Sequence, residues 1–283
     1  MEKKNRRWIL WAVAVLLLGL VLWILLANKA PKTTPYTVCS EEIPDSFHGY
    51  RIAQISDLHN AKMGKDNRKL LKLLKTADPD MIVITGDLID SRNTKTDIAM
   101  DFVTEALKIA PCYYVSGNHE ARVPEYATLK ADMQAAGVVI LEDTKTHITI
   151  DGQSICLIGL DDPSFETDYL NGDDVAIVTQ KMTQLLEGED GFTILLSHRP
   201  ELFDTYVQLG VDLVFSGHAH GGQVRLPFFG GVIAPNQGFF PEYDAGLFAK
   251  DGTTMIVSRG IGNSVIPVRV NNRPELVVVE LQK

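Results

Sequence analysis

Residues 52–59, IAQISDLH, place Asp57 and His59 directly after a short apolar run. Such a run, bounded by polar residues, predicts a buried strand. Residues 67–76 follow with leucines at helical spacing, and a second apolar run occupies residues 81–84. The order of strand, helix and strand is typical of an α/β domain with a parallel sheet.

The same alternation continues toward the C-terminus. The pattern predicts helices near residues 97–109, 125–136, 174–186 and 200–209, and strands at residues 112–115, 193–196 and 213–215. It also predicts shorter strands between residues 138 and 160, and strand-rich segments at residues 254–258, 265–270 and 276–281. A strand-rich second half after an α/β first half indicates two packed sheets with helices outside.

An unbroken apolar run extends from Trp8 to Ala27. A helix of this length, at about 1.5 Å per residue, spans the roughly 30 Å hydrocarbon core of a bilayer. More basic residues precede the run than follow it closely, so the positive-inside rule predicts a cytoplasmic N-terminus and an extracytoplasmic domain. A cleaved signal peptide is the main alternative, although its apolar region is usually shorter and ends at a small-residue cleavage site.

We therefore divide the chain into four parts. They are a basic cytoplasmic N-terminus at residues 1–7, a transmembrane signal-anchor helix at residues 8–27, a proline-containing tether at residues 28–47 with a short strand near residues 36–39, and one α/β domain at residues 48–283. The pair Arg6-Arg7 leaves a twin-arginine export signal as a minor alternative, because the run after it is more hydrophobic than such signals usually are.

The charge balance bears on the kind of partner that the domain can bind. The chain has 27 basic and 36 acidic residues, and five of the basic residues lie in the first thirty. Nucleic acids bind to dense Lys and Arg patches, so we expect no nucleic-acid partner. The cysteines Cys39, Cys112 and Cys156 form no CxxC pair, which indicates neither a disulfide framework nor a thiolate metal site. The sequence does not indicate an oligomeric state.

Five polar segments each follow an apolar, strand-like run. They are Asp57-Leu58-His59, Gly86-Asp87, Gly117-Asn118-His119-Glu120, Ser197-His198 and Gly217-His218-Ala219-His220-Gly221-Gly222. Each segment alone is more often an ordinary turn or loop. Together they contain five of the seven histidines, which chance does not explain. Because the carboxyl ends of strands line the ligand crevice of α/β folds, we expect the segments to converge on one site.

The residue types in these segments indicate metal binding. Side chains two positions apart point the same way in extended backbone, which would pair Asp57 with His59 and His218 with His220. Oxygen and imidazole ligands without thiolate suit Mn, Fe or Zn. One metal would use at most four of these groups, so the surplus favours two divalent ions.

The motif series resembles that of the calcineurin-like metallophosphoesterases, which is D-x-H, G-D, G-N-H-(E/D), H and G-H-x-H. The match is complete and in order between Asp57 and His220. The run GHAHGGQVRLP, with the later segments NQGFFPEY and SRGIGNS, is similar to the membrane-associated bacterial branch of that family. The resemblance implies an α/β protein with a four-layer α/β/β/α sandwich of two mixed sheets, preceded here by the transmembrane helix.

The resemblance also implies two divalent metal ions, with Mn favoured. By position, one ion would be held by Asp57, His59, Asp87 and His220, and the other by Asp87, Asn118, His198 and His218, with Asp87 bridging. The implied activity is hydrolysis of phosphodiester or pyrophosphate bonds by a hydroxide between the metals. His119 is implied as the general acid that protonates the leaving alkoxide.

Asp90 is implied to orient His119, but the surrounding residues LIDS depart from the best-known form of that motif. A helix N-cap or a solvated turn is the alternative role for Asp90. The arginines Arg225, Arg259 and Arg269 are candidates for clamping a substrate phosphate, although surface salt bridges are the commoner role.

The membrane tether makes lipid-linked or cell-envelope phosphates attractive substrates, but the sequence identifies no head group. The aromatic segment at residues 227–243 is either a substrate-gripping or membrane-facing loop, or part of the core. Two other functions stay open, a non-catalytic metal-binding scaffold of the same fold and a metal-dependent nuclease. The acidic charge balance disfavours the nuclease.

Overall fold

Two six-stranded mixed sheets lie at the centre of the domain. The computed structural model describes residues 2–166, 173–263 and 265–283. Met1 of the predicted basic N-terminus and Ser264 at the end of the SRGIGNS segment lie outside these residues.

The first sheet is built mainly from the N-terminal half of the chain. Its strands are β1 Lys32–Cys39, β2 Arg51–Ile55, β3 Met81–Thr85, β4 Cys112–Val115, β5 Val139–Ile140 and the last strand, β16 Glu275–Gln282. They lie in the order β1-β16-β2-β3-β4-β5, and every neighbouring pair is parallel except β16 and β2.

The second sheet is built from later strands. They are β6 Thr144–Ile150, β7 Gln153–Gly159, β8 Thr193–Leu196, β9 Leu213–Ser216, β14 Gly246–Lys250 and β15 Thr253–Val257, in the order β14-β15-β9-β8-β7-β6. Two short antiparallel ladders lie between β9 and β14 along the chain: β10 Arg225–Leu226 pairs with β11 Gly230–Gly231, and β12 Ile233–Ala234 pairs with β13 Gly238–Phe239.

Six α-helices complete the described structure. They are α1 Glu2–Ala27, α2 Arg68–Ala77, α3 Thr96–Ala106, α4 Tyr126–Ala136, α5 Asp174–Leu185 and α6 Phe203–Gln208. Helices α2, α3 and α4 pack on the first sheet, whereas α5 and α6 pack on the second.

The layers follow from the alternation of side chains along the central strands. In β3, Val83 points into the core between the two sheets, whereas Ile82 and Ile84 pack against the helices outside. In β8, Ile194 faces the other sheet and Leu195 faces the outer helices. Strands buried on both faces read as continuous apolar runs. The structure therefore confirms the predicted four-layer α/β/β/α sandwich.

Two segments differ from the predictions. Strand β1 begins at Lys32 and pairs with β16 over its whole length, so much of the predicted tether is part of the first sheet. The predicted strand at residues 265–270 is wrong, because the described residues there form only an isolated bridge at Val270. The side chains of Val265 and Ile266 face solvent, so these β-branched residues do not pack in the core.

Helix α1 contains a stretch of 20 residues, Trp8–Ala27, with a mean hydropathy of 3.0, and the domain buries none of this stretch. By length and composition it could cross a membrane. Its end is fixed to the domain, since the Asn28 side chain donates to the Arg269 carbonyl at 2.8 Å and accepts from the Arg269 N–H at 2.8 Å. The Arg273 side chain also donates to the Ala30 carbonyl at 2.8 Å.

Candidate metal centre

All five polar segments lie just beyond the carboxyl ends of strands. The strands β2, β3 and β4 of the first sheet end two or three residues before Asp57, Asp87 and Asn118. The strands β8 and β9 of the second sheet end two residues before His198 and His218. The two sheets present these ends at one edge of the sandwich, which brings the predicted ligands together.

The backbone at the ligands is left-handed rather than extended. The φ angles are 51° at Asp57, 44° at His59, 54° at Asp87, 65° at His218 and 50° at His220. Such conformations typically cost about 1–3 kcal/mol each and persist where the surrounding structure enforces them. Strand alternation is therefore the wrong reason for the pairing of these side chains, which sharp turns after the strands produce instead.

Gly86 shows how closely the two sheets approach at this edge. Its φ angle is 84°, and a Cβ atom there would lie 2.7 Å from Nδ1 of His198 on the opposite sheet. Only glycine meets both requirements without displacing a neighbour.

The first group of predicted ligands consists of the buried residues Asp57, His59, Asp87 and His220, whose ligand atoms all lie within 4.8 Å of one another. The Nε2 atoms of His59 and His220 are 3.1 Å apart. Nε2 of His220 lies 3.3 Å from Asp57 Oδ1, and Nε2 of His59 lies 3.4 Å from Asp87 Oδ2. Imidazole nitrogens and carboxylate oxygens thus converge on one point, as a divalent cation requires.

A second group shares Asp87 with the first. It contains His198 and His218, and all three residues are buried. Nε2 of His198 lies 3.3 Å from Asp87 Oδ2 and 3.2 Å from Nδ1 of His218. Asn118 lines the adjoining cavity, and its buried Oδ1 atom has no hydrogen-bond partner among the described residues. An unpaired carbonyl oxygen beside these groups fits the role of a metal ligand.

The carboxylates of the site keep their negative charge. Burial opposes ionisation of Asp87, but the neighbouring His198 outweighs burial and holds the pKa of Asp87 well below its usual range. Burial lowers the pKa of His220 to about 3, so this imidazole is neutral at neutral pH. Burial alone would lower the pKa of His198, but Asp87 raises it to about 10, so a divalent cation bound here would displace the proton of His198.

Glu120 connects the loop that contains Asp87 with the loop that contains Gly117 and Asn118. Its buried carboxylate accepts hydrogen bonds from the backbone N–H groups of Asp87 and Gly117, both at 2.8 Å, and of Ile89 at 3.2 Å. Burial, reinforced by Asp87, raises the pKa of Glu120 to about 7. Glu120 belongs to the third polar segment, but no role for it was predicted from the sequence; its position directly after His119 was the available signal.

His119 lies at the wall of the same cavity, next to Asn118. Its Nδ1 atom accepts a hydrogen bond from the Ser91 N–H at 3.0 Å, and Oγ of Ser91 lies 3.1 Å away. Burial lowers the pKa of His119 to about 4. Because an N–H group donates to Nδ1, the proton of the neutral imidazole resides on Nε2.

Asp90, the predicted orienting residue, has its Oδ1 atom 3.7 Å from Nδ1 of His119. The same carboxylate receives two hydrogen bonds from Arg92, at 2.9 and 2.6 Å. The hydrogen bond that orients Nδ1 therefore comes from Ser91. The sequence does not indicate this bond, because a backbone N–H group makes it. Orientation of His119 by Asp90 stays a prediction.

The three arginines singled out in the sequence have other partners. Arg225 pairs with Asp244 at 2.9 Å, and Arg259 lies 3.6 Å from Glu275. Arg269 is buried, and its Nη2 atom lies 3.2 Å from Nδ1 of His220. Arg122, which was not predicted from the sequence, instead lines the cavity of about 200 Å³ beside the two groups.

Another buried arginine supports the second group. The Arg199 guanidinium pairs with both carboxylate oxygens of Asp162, at 2.6 and 2.8 Å, and its Nη1 atom lies 3.5 Å from Nε2 of His218. Burial alone would raise the pKa of Asp162, but Arg199 outweighs burial and lowers it to about 2. The pair thus stays charged while it braces the loop that contains His198.

Comparison with known proteins agrees with this geometry. Residues 50–222 match the family model described as calcineurin-like phosphoesterase. The metallophosphoesterase YkuE of Bacillus subtilis is 31% identical over 258 residues, which cover 89% of this chain and 85% of YkuE. A transmembrane protein with metallophosphoesterase domain from Bos taurus is 28% identical, and the match covers 96% of this chain but only 62% of that protein.

Among solved structures, TT1561 of Thermus thermophilus superposes with a TM-score of 0.53. Its sequence is 15% identical, and the superposition covers 75% of this chain and 90% of TT1561, which shows a shared fold. The family match covers more than half of the chain and includes all five motifs. The chain belongs to the calcineurin-like phosphoesterase family.

Proposed function

We propose that this protein is a membrane-anchored phosphoesterase that uses two divalent metal ions to hydrolyse phosphodiester or pyrophosphate bonds. The family implies a phosphoester hydrolase, and the observation that supports the two-metal form is the sharing of Asp87 by two groups of ligands. Carboxylate, amide and imidazole donors without thiolate suit Mn, Fe or Zn, and the family resemblance favours Mn²⁺ among them.

Asp57, His59, Asp87 and His220 would hold one ion, and Asp87, Asn118, His198 and His218 would hold the other. Two divalent ions in these positions supply Lewis-acid activation of water and stabilise charge on the phosphoryl group. The unpaired Oδ1 atom of Asn118 supports its inclusion, since no described residue donates to it. Glu120 would hold the loops of Asp87 and Gly117 in register through its three backbone hydrogen bonds.

His119 would act as the general acid. Proton donation from Nε2 needs the imidazolium form, so a bound phosphate would have to favour protonation of the ring, with Nδ1 then donating to Oγ of Ser91, 3.1 Å away. Arg122 lines the same cavity and would place a guanidinium group against the phosphate. The buried position of His119 would favour proton transfer in the transition state, whereas Arg122 is exposed at the mouth of the cavity.

Helix α1 would anchor the protein in the cell membrane, with the N-terminus in the cytoplasm and the domain outside. The length and hydropathy of Trp8–Ala27 support the anchor, and the name of the bovine relative describes a transmembrane protein. The excess of basic residues before the helix supports the orientation. Lipid-linked or cell-envelope phosphates are the substrates that such a position favours.

The test uses the full-length chain purified in detergent. Chelation followed by reloading with Mn²⁺ should abolish and then restore hydrolysis of bis-p-nitrophenyl phosphate. A folded chain that binds Mn²⁺ but hydrolyses neither diesters nor pyrophosphates would contradict the proposal and favour a non-catalytic scaffold. Cleavage of single-stranded DNA at physiological salt, in preference to small diesters, would favour a nuclease.

A further inference from the structure

An apolar trough adjoins the cavity of the candidate metal centre. The trough is lined by Ile233, Ala234, Pro235, Val265 and Ile266, with His220 and Gln223 as its polar members, and its volume is about 330 Å³. That volume lies within the range of ligand pockets. His220, Pro235 and Val265 also line the cavity of the metal centre. If a phosphate bound in the cavity of the metal centre, the group esterified to that phosphate would lie in or beside the trough.

The outer wall of the trough is formed by the segment that fails to make a strand. Val265 and Ile266 expose 77% and 42% of their surface to solvent. Gln223 holds this wall in place, because its Nε2 atom donates to the carbonyls of Ile266 at 2.6 Å and Val268 at 3.0 Å. Apolar side chains held at the mouth of a site, rather than folded into a core, indicate an apolar ligand.

The opposite wall extends the apolar surface. Ile233 pairs directly with Phe239 across the β12–β13 ladder, and residues opposite each other in an antiparallel pair lie on one face. Phe239 and its neighbour Phe240 are exposed, as are Phe228 and Phe229 in the preceding hairpin. Of these aromatic side chains, Phe239 lies on the same face of the ladder as Ile233 and so extends the apolar surface beside the trough.

The same wall leads to the end of the apolar helix. The chain runs from Val265 and Ile266 to Arg269, whose backbone exchanges two hydrogen bonds with the Asn28 side chain. Asn28 directly follows α1, and its side chain also donates to the Ile24 carbonyl at 2.7 Å. With α1 in a bilayer, the trough would thus lie close to the membrane surface.

From these contacts we propose that the trough binds the hydrocarbon chain of a phosphodiester or pyrophosphate that resides in the same membrane. This rests on the proposed phosphoesterase function and adds a subsite to it. A sugar or nucleotide would lose hydration there without gaining partners, because the amide donor of Gln223 already bonds to two carbonyls. A hydrocarbon chain has no polar groups whose hydration would be lost, and it would cover the exposed side chains of Val265, Ile266 and Phe239.

The experiment compares methyl, butyl and octyl p-nitrophenyl phosphate as substrates of the full-length, Mn²⁺-loaded protein in detergent. We expect kcat/KM to rise at least about tenfold from methyl to octyl, the effect of burying roughly two methylene groups. Ile266→Ser should flatten this rise, since Ile266 lines the trough but not the metal-centre cavity. Val175→Ser is the matched control, because Val175 is similarly exposed but lies on α5, outside both cavities, and should keep the rise.

The outcomes separate the two proposals. Hydrolysis of all three esters with the same kcat/KM would overturn the trough proposal and leave the phosphoesterase intact. An unchanged rise in Ile266→Ser would also overturn it. If no ester is hydrolysed, the phosphoesterase itself fails, and the trough proposal fails with it.

Discussion

Oδ2 of Asp87 lies 3.3 Å from Nε2 of His198, although the two residues belong to different sheets. The same oxygen lies 3.4 Å from Nε2 of His59. One carboxylate therefore faces both groups of ligands, and it does so from a left-handed turn at the end of β3. The core between the sheets positions this contact, because it sets the distance between the loops after β3 and β8.

Replacement Asp87→Asn should weaken both metals' shared ligand, because an amide oxygen is neutral and bridges two ions less well than a carboxylate. We expect Mn²⁺ affinity and kcat to fall by more than about 100-fold, the upper range for loss of an outer-shell partner. Metal content after dialysis and diester hydrolysis provide the readouts. Asp78→Asn is the control, since Asp78 is exposed and has a similar φ angle of 49°. Full metal content in Asp87→Asn would refute the shared-ligand role.

His119→Gln should lower kcat without releasing the metals. Loss of a general acid typically costs about 10²- to 10⁴-fold. The loss should be smaller for a p-nitrophenolate leaving group, which needs little protonation, than for an aliphatic alkoxide. His48→Gln, at an exposed position outside the site, should change neither rate. Equal losses for both leaving groups would argue against proton donation by His119.

Gly86→Ala tests the close approach of the two sheets. A Cβ atom would lie 2.7 Å from Nδ1 of His198 and would also occupy a φ angle of 84°. Gly152→Ala is a matched control, because its φ angle is 79° but nothing lies within 4 Å of the added Cβ atom. Both variants should lose about 1 kcal/mol of unfolding free energy from the left-handed backbone, and Gly86→Ala should lose more, because its Cβ atom would also lie 2.8 Å from backbone atoms of Gly117.

Only Gly86→Ala should also lose Mn²⁺ binding, because only it displaces a ligand. Urea denaturation and metal titration measure the two effects separately. Equal metal affinity in the two alanine variants would show that the loop of Gly86 is not tightly packed against His198.

Asp162→Asn should destabilise the fold by about 3 kcal/mol at neutral pH, since it leaves the buried Arg199 guanidinium with Glu201, 3.3 Å from Nη1, as its remaining carboxylate partner. The folded pKa of Asp162, about 2, lies below the usual value of 3.8. Its contribution to stability is therefore present above pH 4 and is lost as pH falls through 2. Urea denaturation between pH 7 and pH 2 should show the difference between wild type and variant shrinking over that interval.

The exposed pair of Lys250 and Asp204, 2.8 Å apart, supplies the comparison for this prediction. Asp204→Asn should change the unfolding free energy little, because exposed ion pairs contribute at most about 1 kcal/mol. A loss in Asp162→Asn as small as that in Asp204→Asn would mean that Arg199 finds another partner.

Much of the fold was readable from the sequence because the central strands are buried on both faces. Runs such as residues 81–84 and 194–196 are continuously apolar, and the structure confirms the strands that contain them. The segment at residues 265–270 has the same β-branched character but faces solvent, which local composition cannot distinguish from a strand. The extent of β1 depends on its partner β16 at the other end of the chain, so no local pattern reveals it.

The candidate site was readable for a different reason. Each ligand type follows a strand, and strand ends converge in this fold, so Asp57, Asp87 and His198 meet as expected. The left-handed turns that aim them were not readable, because Asp and His adopt such φ angles in a minority of cases and the surrounding structure selects them. Arg122 and the Ser91 N–H were missed because an isolated arginine and a backbone group leave no motif.

The most direct measurement is the EPR spectrum of the full-length protein loaded with Mn²⁺, recorded together with its metal content. A site with Asp87 shared between two ions predicts two Mn²⁺ per chain and an exchange-coupled multiline spectrum, which Asp87→Asn should abolish. One Mn²⁺ per folded chain, with the six-line signal of an isolated ion, would contradict the dinuclear centre.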